Sequence, residues 1–157
     1  MNRPLTNPSP TDLLARMMLI RAYEEKIVAF HAAGPFPNVC TSVGQEAAAV
    51  GVVTALKAED QILTNHRSAG HLLARGADPG RMLAEVMGRE DGYCKGRSGT
   101  LHISAKELGV VLTSTIVGGE LSLAPASRSP APCWAGRASW PASSATAPPA
   151  KASSTRA

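Results

Sequence analysis

Residues 90–119 read EDGYCKGRSGTLHISAKELGVVLTSTIVGG, and the reading of this stretch decides the fold. Gly92, Gly96 and Gly99 recur through its first half, with Lys95 and Arg97 between them and His102 just beyond. The second half is apolar and closes on Ile116-Val117-Gly118-Gly119. Glycine lets main chain approach a bound group closely, and bases beside it suit an anion. Spacing alone leaves two readings open: an anion-binding loop leading into a strand, or a surface loop with ordinary turn glycines.

The flanking chain supplies context. Residues 1–10 hold Pro4, Pro8 and Pro10 and read as a flexible arm. Thr11 offers a helix N-cap with Asp12 favourably placed in the first turn. From there Leu13, Met17, Ile20, Ile27 and Phe30 fall mostly at helical spacing. Arg16, Arg21, Glu24, Glu25 and Lys26 read as the polar complement of that helix, which Gly34-Pro35 stops. Ser42 to Gln45 match the S-x-x-Q capping box before an alanine-rich helix over residues 46–57. Residues 61–64 suggest a short strand, followed by His66-Arg67 and a helical piece over 68–75 that ends at Gly76. Asp78-Pro79 reads as a cap with proline at the first helical position. That helix is expected to reach Met87 with Met82, Leu83, Val86 and Met87 inward.

Composition narrows the function classes. A chain of 157 residues, 44% hydrophobic and 18% charged, fits one globular domain with a core. The net charge of +4 is not a nucleic-acid signature. Residues 1–120 carry 12 basic and 12 acidic side chains, so the excess lies wholly in Arg128, Arg137, Lys151 and Arg156. No basic face interleaved with aromatics accompanies it. The longest apolar run, residues 47–56, is too short to span a bilayer and contains Gly51. Cys40, Cys94 and Cys133 form no C-x-x-C pair, which fits a reducing, cytoplasmic setting without a zinc site. His66 and His71 are five apart, off a common helix face, and no H-E-x-x-H, G-x-S-x-G or P-loop occurs. Arg67 reads either as an anion ligand or as a surface arginine, and Glu46 as a cap or ion-pair member.

Five segments then add up. R-x-Y-E-E-K at 21–26, V-G-Q-E-A at 43–47, N-H-R-S-A-G-H at 65–71, G-Y-C-K-G-R-S-G-T-L-H at 92–102 and I-V-G-G at 116–119 follow one another over residues 11–125. In that order the chain resembles the alpha subunit of the thiamine-diphosphate-dependent 2-oxo acid dehydrogenase decarboxylase component, of pyruvate or acetoin dehydrogenase type. The resemblance implies an α/β thiamine-diphosphate-binding fold, here its N-terminal part, with helices and the start of a parallel sheet. It implies an oxidoreductase acting on an oxo group with a disulfide acceptor, in a heterotetramer with a beta subunit that serves a lipoyl acyltransferase. By the same resemblance His66 and Arg67 lie near the cofactor diphosphate and Thr115 and Val117 line its aminopyrimidine ring. The resemblance also matches His102 to a histidine of the mobile loop at the active-site mouth, the catalytic candidate of this chain. Cys40 stands where many relatives carry a substrate-pocket histidine, five residues before the glutamine of G-Q-E. LTSTIVG replaces the relatives' glycine-rich GGNGIVG, the mark of a diverged subfamily.

The Mg2+ motif of the family, Gly-Asp-Gly with a later asparagine, is expected soon after residue 125 and is not there. Of the 32 residues from Ala126 on, 10 are Ala, 7 Ser and 5 Pro, a low-complexity composition without helix or strand period, read as a disordered tail. Read one base earlier, Ala145-Thr146-Ala147 can become Gly-Asp-Gly, and the expectation is a frame-shifted tail that leaves the chain without metal ligands and with little activity. Two rival readings are a non-catalytic interaction protein that docks a partner through the helix over residues 11–33, and nucleic-acid binding through the basic tail.

Overall fold

A computed structural model describes residues 8–127. Helix α1 (Pro10–Ala33) begins earlier than Thr11. Ser9 is its N-cap: the hydroxyl accepts from Asp12 N at 3.2 Å, and the Asp12 carboxylate accepts from Ser9 N at 3.0 Å. Pro10 takes the first helical position, so the last two residues of the expected arm start the helix. The expectations for residues 1–7, and those for the tail beyond Ser127, lie outside the described residues.

Helix α2 (Glu46–Thr54) corrects the capping-box reading. Gln45 is the N-cap and makes no side-chain cap bond, while Ser42 turns away and donates its hydroxyl to Glu24 on α1. A tertiary partner has outcompeted the local motif. Strand β1 (Ile62–Asn65), helix α3 (Ala69–Ala74) and helix α4 (Pro79–Val86) fall near their expected places. The Asp78 carboxylate accepts from Arg81 N at 2.8 Å, as its cap role requires. Helix α4 ends at Val86, so Met87 is 51% exposed instead of inward. Glu85 occupies the inner face instead and is fully buried.

After a 3-10 turn at Lys106–Leu108 comes strand β2 (Val110–Ser114), then helix α5 (Gly119–Ser127), which runs across the compositional break at Ala126. The two strands pair in parallel, with Thr64 opposite Thr113 and Asn65 opposite Ser114. Parallel neighbours need a crossover, and α3, α4 and the glycine loop supply it. Ile20, Val50, Val53, Ile62, Leu72 and Met82 anchor the core between α1, α2, α3, α4 and the sheet. Gly70 lets α3 sit close to α2, since a Cβ there would stand 3.1 Å from the Ala49 Cβ. Buried Arg75 fixes the entry to β1: its guanidinium donates to the carbonyls of Lys57, Ala58, Asp60 and Leu108.

Candidate functional site

Because β1 and β2 run parallel, the segments that follow them leave the same edge of the sheet. His66-Arg67 follows β1 and Thr115-Ile116-Val117 follows β2, and the last pair in register is Asn65 with Ser114. In α/β sheets this carboxyl edge is where ligands bind. His102 joins the group from the glycine loop: its Nδ1 lies 3.2 Å from the carbonyl of Thr113, next to the end of β2. The fold therefore brings His66, Arg67, Thr115, Val117 and His102 to one end of the sheet. Cys40 is brought to part of it. It lines a cleft with His66, Tyr23, Glu24, Met82 and Thr100, and neither Thr115 nor Val117 is among that cleft's walls.

Two loops are held by carboxylates that sequence reasoning placed in solvent or passed over. Glu24 is only 2% exposed, in contrast to its reading as part of the polar face of α1. Its Oε1 accepts from Ser42 N at 3.1 Å and from the Ser42 hydroxyl. Ser42 in turn fixes Thr41, whose carbonyl accepts from Arg67 Nη1 at 2.9 Å. The guanidinium of Arg67 is thus oriented through Glu24. Burial pushes the Glu24 carboxyl above its ordinary range, with the Ser42 bonds opposing and nearby Glu46 and Arg67 contributing in opposite directions. Burial likewise pushes the Tyr23 hydroxyl up and the His71 imidazole down. Glu46 is an ion-pair member as well as a turn acceptor: it lies 2.6 Å from Arg21 Nε and accepts from Gly44 N at 3.0 Å. The Arg21 bond is the main reason its carboxyl is pulled down to about 2.

Glu85 holds the glycine loop. Its Oε2 accepts from Cys94 N at 2.7 Å and Gly96 N at 2.9 Å, and its Oε1 from Ser98 N at 2.8 Å and Ser98 Oγ at 2.7 Å. The glycines make room for this. A Cβ on Gly92 would stand 2.4 Å from Glu85 Oε2, and one on Gly96, at φ +72°, 2.3 Å from the Gly88 carbonyl carbon. Burial alone would raise the Glu85 carboxyl, but four donors outweigh it and the net direction is down. The anion that the glycine pattern suggested is therefore, in part, the protein's own. A signal for both carboxylates was present in the spacing: Glu24 shares a helix face with Ile20 and Ile27, and Glu85 with Met82.

The edge of the sheet fits thiamine diphosphate in three respects. Arg67 is an exposed cation oriented by a carbonyl. The Nδ1 of His66 is buried without a hydrogen-bond partner on the wall of the cleft. Ile116 and Val117 are 70% and 61% exposed and present apolar surface suited to a flat heterocycle. Among the described residues no group of three His, Cys, Asp or Glu could hold a metal ion.

A parallel pair with a cation and an apolar wall at its carboxyl edge is the arrangement at which α/β proteins bind ligands. The chain belongs to the dehydrogenase E1 component family, whose model matches residues 15–131. It is 38% identical over 121 residues to the alpha subunit of acetoin:2,6-dichlorophenolindophenol oxidoreductase from Bacillus subtilis (strain 168), covering 76% of this chain and 36% of that protein. It is 40% identical over 108 residues to the pyruvate dehydrogenase E1 component subunit alpha of Rhizobium meliloti (strain 1021), covering 68% and 31%. The mitochondrial pyruvate dehydrogenase E1 component subunit alpha of Saccharomyces cerevisiae (strain ATCC 204508 / S288c) is 38% identical over 108 residues, covering 68% and 25%. The chain thus spans about a third or less of these relatives' length.

Proposed function

We propose that this chain carries part of the thiamine diphosphate site of a 2-oxo acid decarboxylase alpha subunit, of the pyruvate or acetoin dehydrogenase type. The observation that carries the reading is the convergence of His66-Arg67 and Thr115-Val117 on one carboxyl edge, a consequence of the parallel register of β1 and β2. Arg67 would hold diphosphate oxygens, because a planar guanidinium matches them bidentately. Thr115 and Val117 would hold the aminopyrimidine, and His66 offers its buried ring nitrogen to the same ligand. When bound, the cofactor supplies the electron sink for decarboxylation. His102 would hold or deliver a proton at its outer ring nitrogen, a role supported by the inner nitrogen lying 3.2 Å from the Thr113 carbonyl. Cys40 borders the substrate side of the cleft.

Mg2+ would accompany the diphosphate, and its ligands would have to come from elsewhere than the described residues. The apolar side chains that α1 leaves exposed, Leu14 and Met18 among them, are where we place the beta subunit. A lipoyl acyltransferase would take up the acyl product. Cys40 and Cys94 are free thiols, and among the described residues no helix is long and apolar enough to cross a membrane. The free thiols suit our assignment to the cytoplasm.

Isothermal titration of thiamine diphosphate with Mg2+, on the chain purified together with a beta subunit, tests the reading. Arg67→Ala should weaken binding by about tenfold or more, the loss expected for a charge-assisted contact. Equal affinity for wild type and variant, or no binding by wild type, would overturn it. Without metal ligands among the described residues, the wild-type chain is expected to bind more weakly than a full-length relative and to support little decarboxylation.

A further inference from the structure

We propose, resting on the cofactor-site reading above, that Glu85 is the positioning residue of residues 92–102. Its carboxylate is the internal anion around which the glycine loop folds, and through that loop it sets where Thr100 and His102 stand. Three main-chain amides, of Cys94, Gly96 and Ser98, and one hydroxyl converge on its two oxygens. Successive amides turned inward form an anion-binding concavity, and Lys95, the residue between two of them, adopts φ 58° to allow it. The concavity is filled from inside. The exposed side chains of Lys95 and Arg97 therefore face outward from a loop whose main chain is already committed.

The connection to the site is continuous. Cys94, held by Glu85 through its amide, receives Ser104 N on its sulfur at 3.3 Å and lies 3.4 Å from the Ser104 carbonyl. Ile103, the next residue back, is buried, and its carbonyl accepts from Thr113 Oγ1 at 3.1 Å. His102 is thus gripped by β2 on one side and by the Glu85 loop on the other. Thr100 Oγ1 donates to the Asn38 carbonyl at 2.9 Å, which ties the same loop to the segment that carries Cys40. A second anchor lies at the start of α4, where Asp78 N donates to the Tyr93 hydroxyl at 2.8 Å and Arg81 lies 4.0 Å over the Tyr93 ring.

Glutamine has the shape of glutamate but only one acceptor oxygen. Each Glu85 oxygen takes two donors, so the NH2 group of glutamine faces either the amides of Cys94 and Gly96 or the amide of Ser98, whose hydroxyl can turn to accept. Limited trypsin digestion of the full chain reads the result. The peptide bonds after Lys95 and Arg97 are those whose nitrogens, on Gly96 and Ser98, donate to Glu85. In Glu85→Gln, cleavage at these two bonds should rise by about tenfold or more relative to cleavage after Arg21 and Lys26 in the same sample, as for a loop that opens locally. A purely structural role would raise all sites together and leave that ratio unmoved. A ratio unchanged within about twofold overturns the proposal. If Glu85→Gln loses its helical signal, amide exchange in the wild-type chain decides instead. Cys94, Gly96 and Ser98 should exchange at least about tenfold more slowly than Gly99, and equal rates overturn the proposal. A separate arm adds thiamine diphosphate and Mg2+ to wild type. Failure to slow cleavage at Lys95 and Arg97 counts against the cofactor-site reading, while the ratio measured without cofactor decides on Glu85 by itself.

Discussion

Glu24 on α1 and Glu85 on α4 each leave a helix to hold a loop at the edge of the candidate site, and they differ in how the holding is done. Both donors to Glu24 come from one residue, Ser42, and both reach the same oxygen, Oε1. The donors to Glu85 come from three residues and are divided evenly between its two oxygens. Burial wins at Glu24 and its carboxyl is pushed up; the donors win at Glu85 and its carboxyl is pulled down. Two carboxylates that are both almost inaccessible to solvent are thus shifted in opposite directions. At Glu85 the donors, three of them main-chain amides fixed by the fold, outweigh the burial, and at Glu24 the two Ser42 donors do not.

The largest effect that tests this contrast is on stability. Glu85→Gln leaves at least one main-chain amide facing an NH2 group in a buried place and should cost about 2–3 kcal/mol. Urea unfolding followed by circular dichroism measures it. Ser42→Ala comes next, at about 1–2 kcal/mol, because it removes one of the two donors from a buried carboxylate. The same variant should loosen Arg67 through Thr41, so a weaker affinity for thiamine diphosphate is expected beside the stability loss. Comparable costs for Glu85→Gln and Glu24→Gln would break the contrast.

The sequence foretold the framework better than these carboxylates, for a physical reason. The start of α4 was legible because Asp78-Pro79 is a local signal that the structure uses as written. That His66-Arg67 and Thr115-Val117 belong to one site was expected only from the family resemblance of five motifs, and the parallel register of β1 and β2 sets both pairs at one edge of the sheet. The spacing puts Glu24 and Glu85 on inward faces, but Glu24 reads as part of the wet face of its helix and Glu85 is passed over, because their partners lie 18 and 9 to 13 residues away in loops. Ser42 was misread for the complementary reason: S-x-x-Q is a local pattern, and the contact that captured its hydroxyl is tertiary. The position of His102 beside Thr113 depends on strand register, which residue spacing does not carry.

Glu24→Gln is the smallest effect and the sharpest discriminator. Glutamine can present its single carbonyl oxygen to both Ser42 donors, which already share one oxygen, so the cost at neutral pH should stay below about 1 kcal/mol. The pH dependence gives the sign. The folded carboxyl of Glu24 titrates above the ordinary 4.5 of a glutamate, so between 4.5 and its raised value the folded state binds more protons than the unfolded. Its contribution to stability therefore falls as pH rises through that window. Glu85 titrates below 4.5, so there the unfolded state binds more protons and stability falls as pH drops. Urea melts from about pH 3 to 7 should show Glu24→Gln flattening the limb above 4.5, and Glu85→Gln reducing the acid limb, each by less than the roughly 1.4 kcal/mol per pH unit of a whole proton. Part of the acid limb should survive in Glu85→Gln. Glu46, held at about 2 chiefly by Arg21, loses its contribution over the range from 4.5 down to that value. If Glu24→Gln leaves the limb above 4.5 unaltered, burial does not prevail at Glu24 and the two loops are held alike.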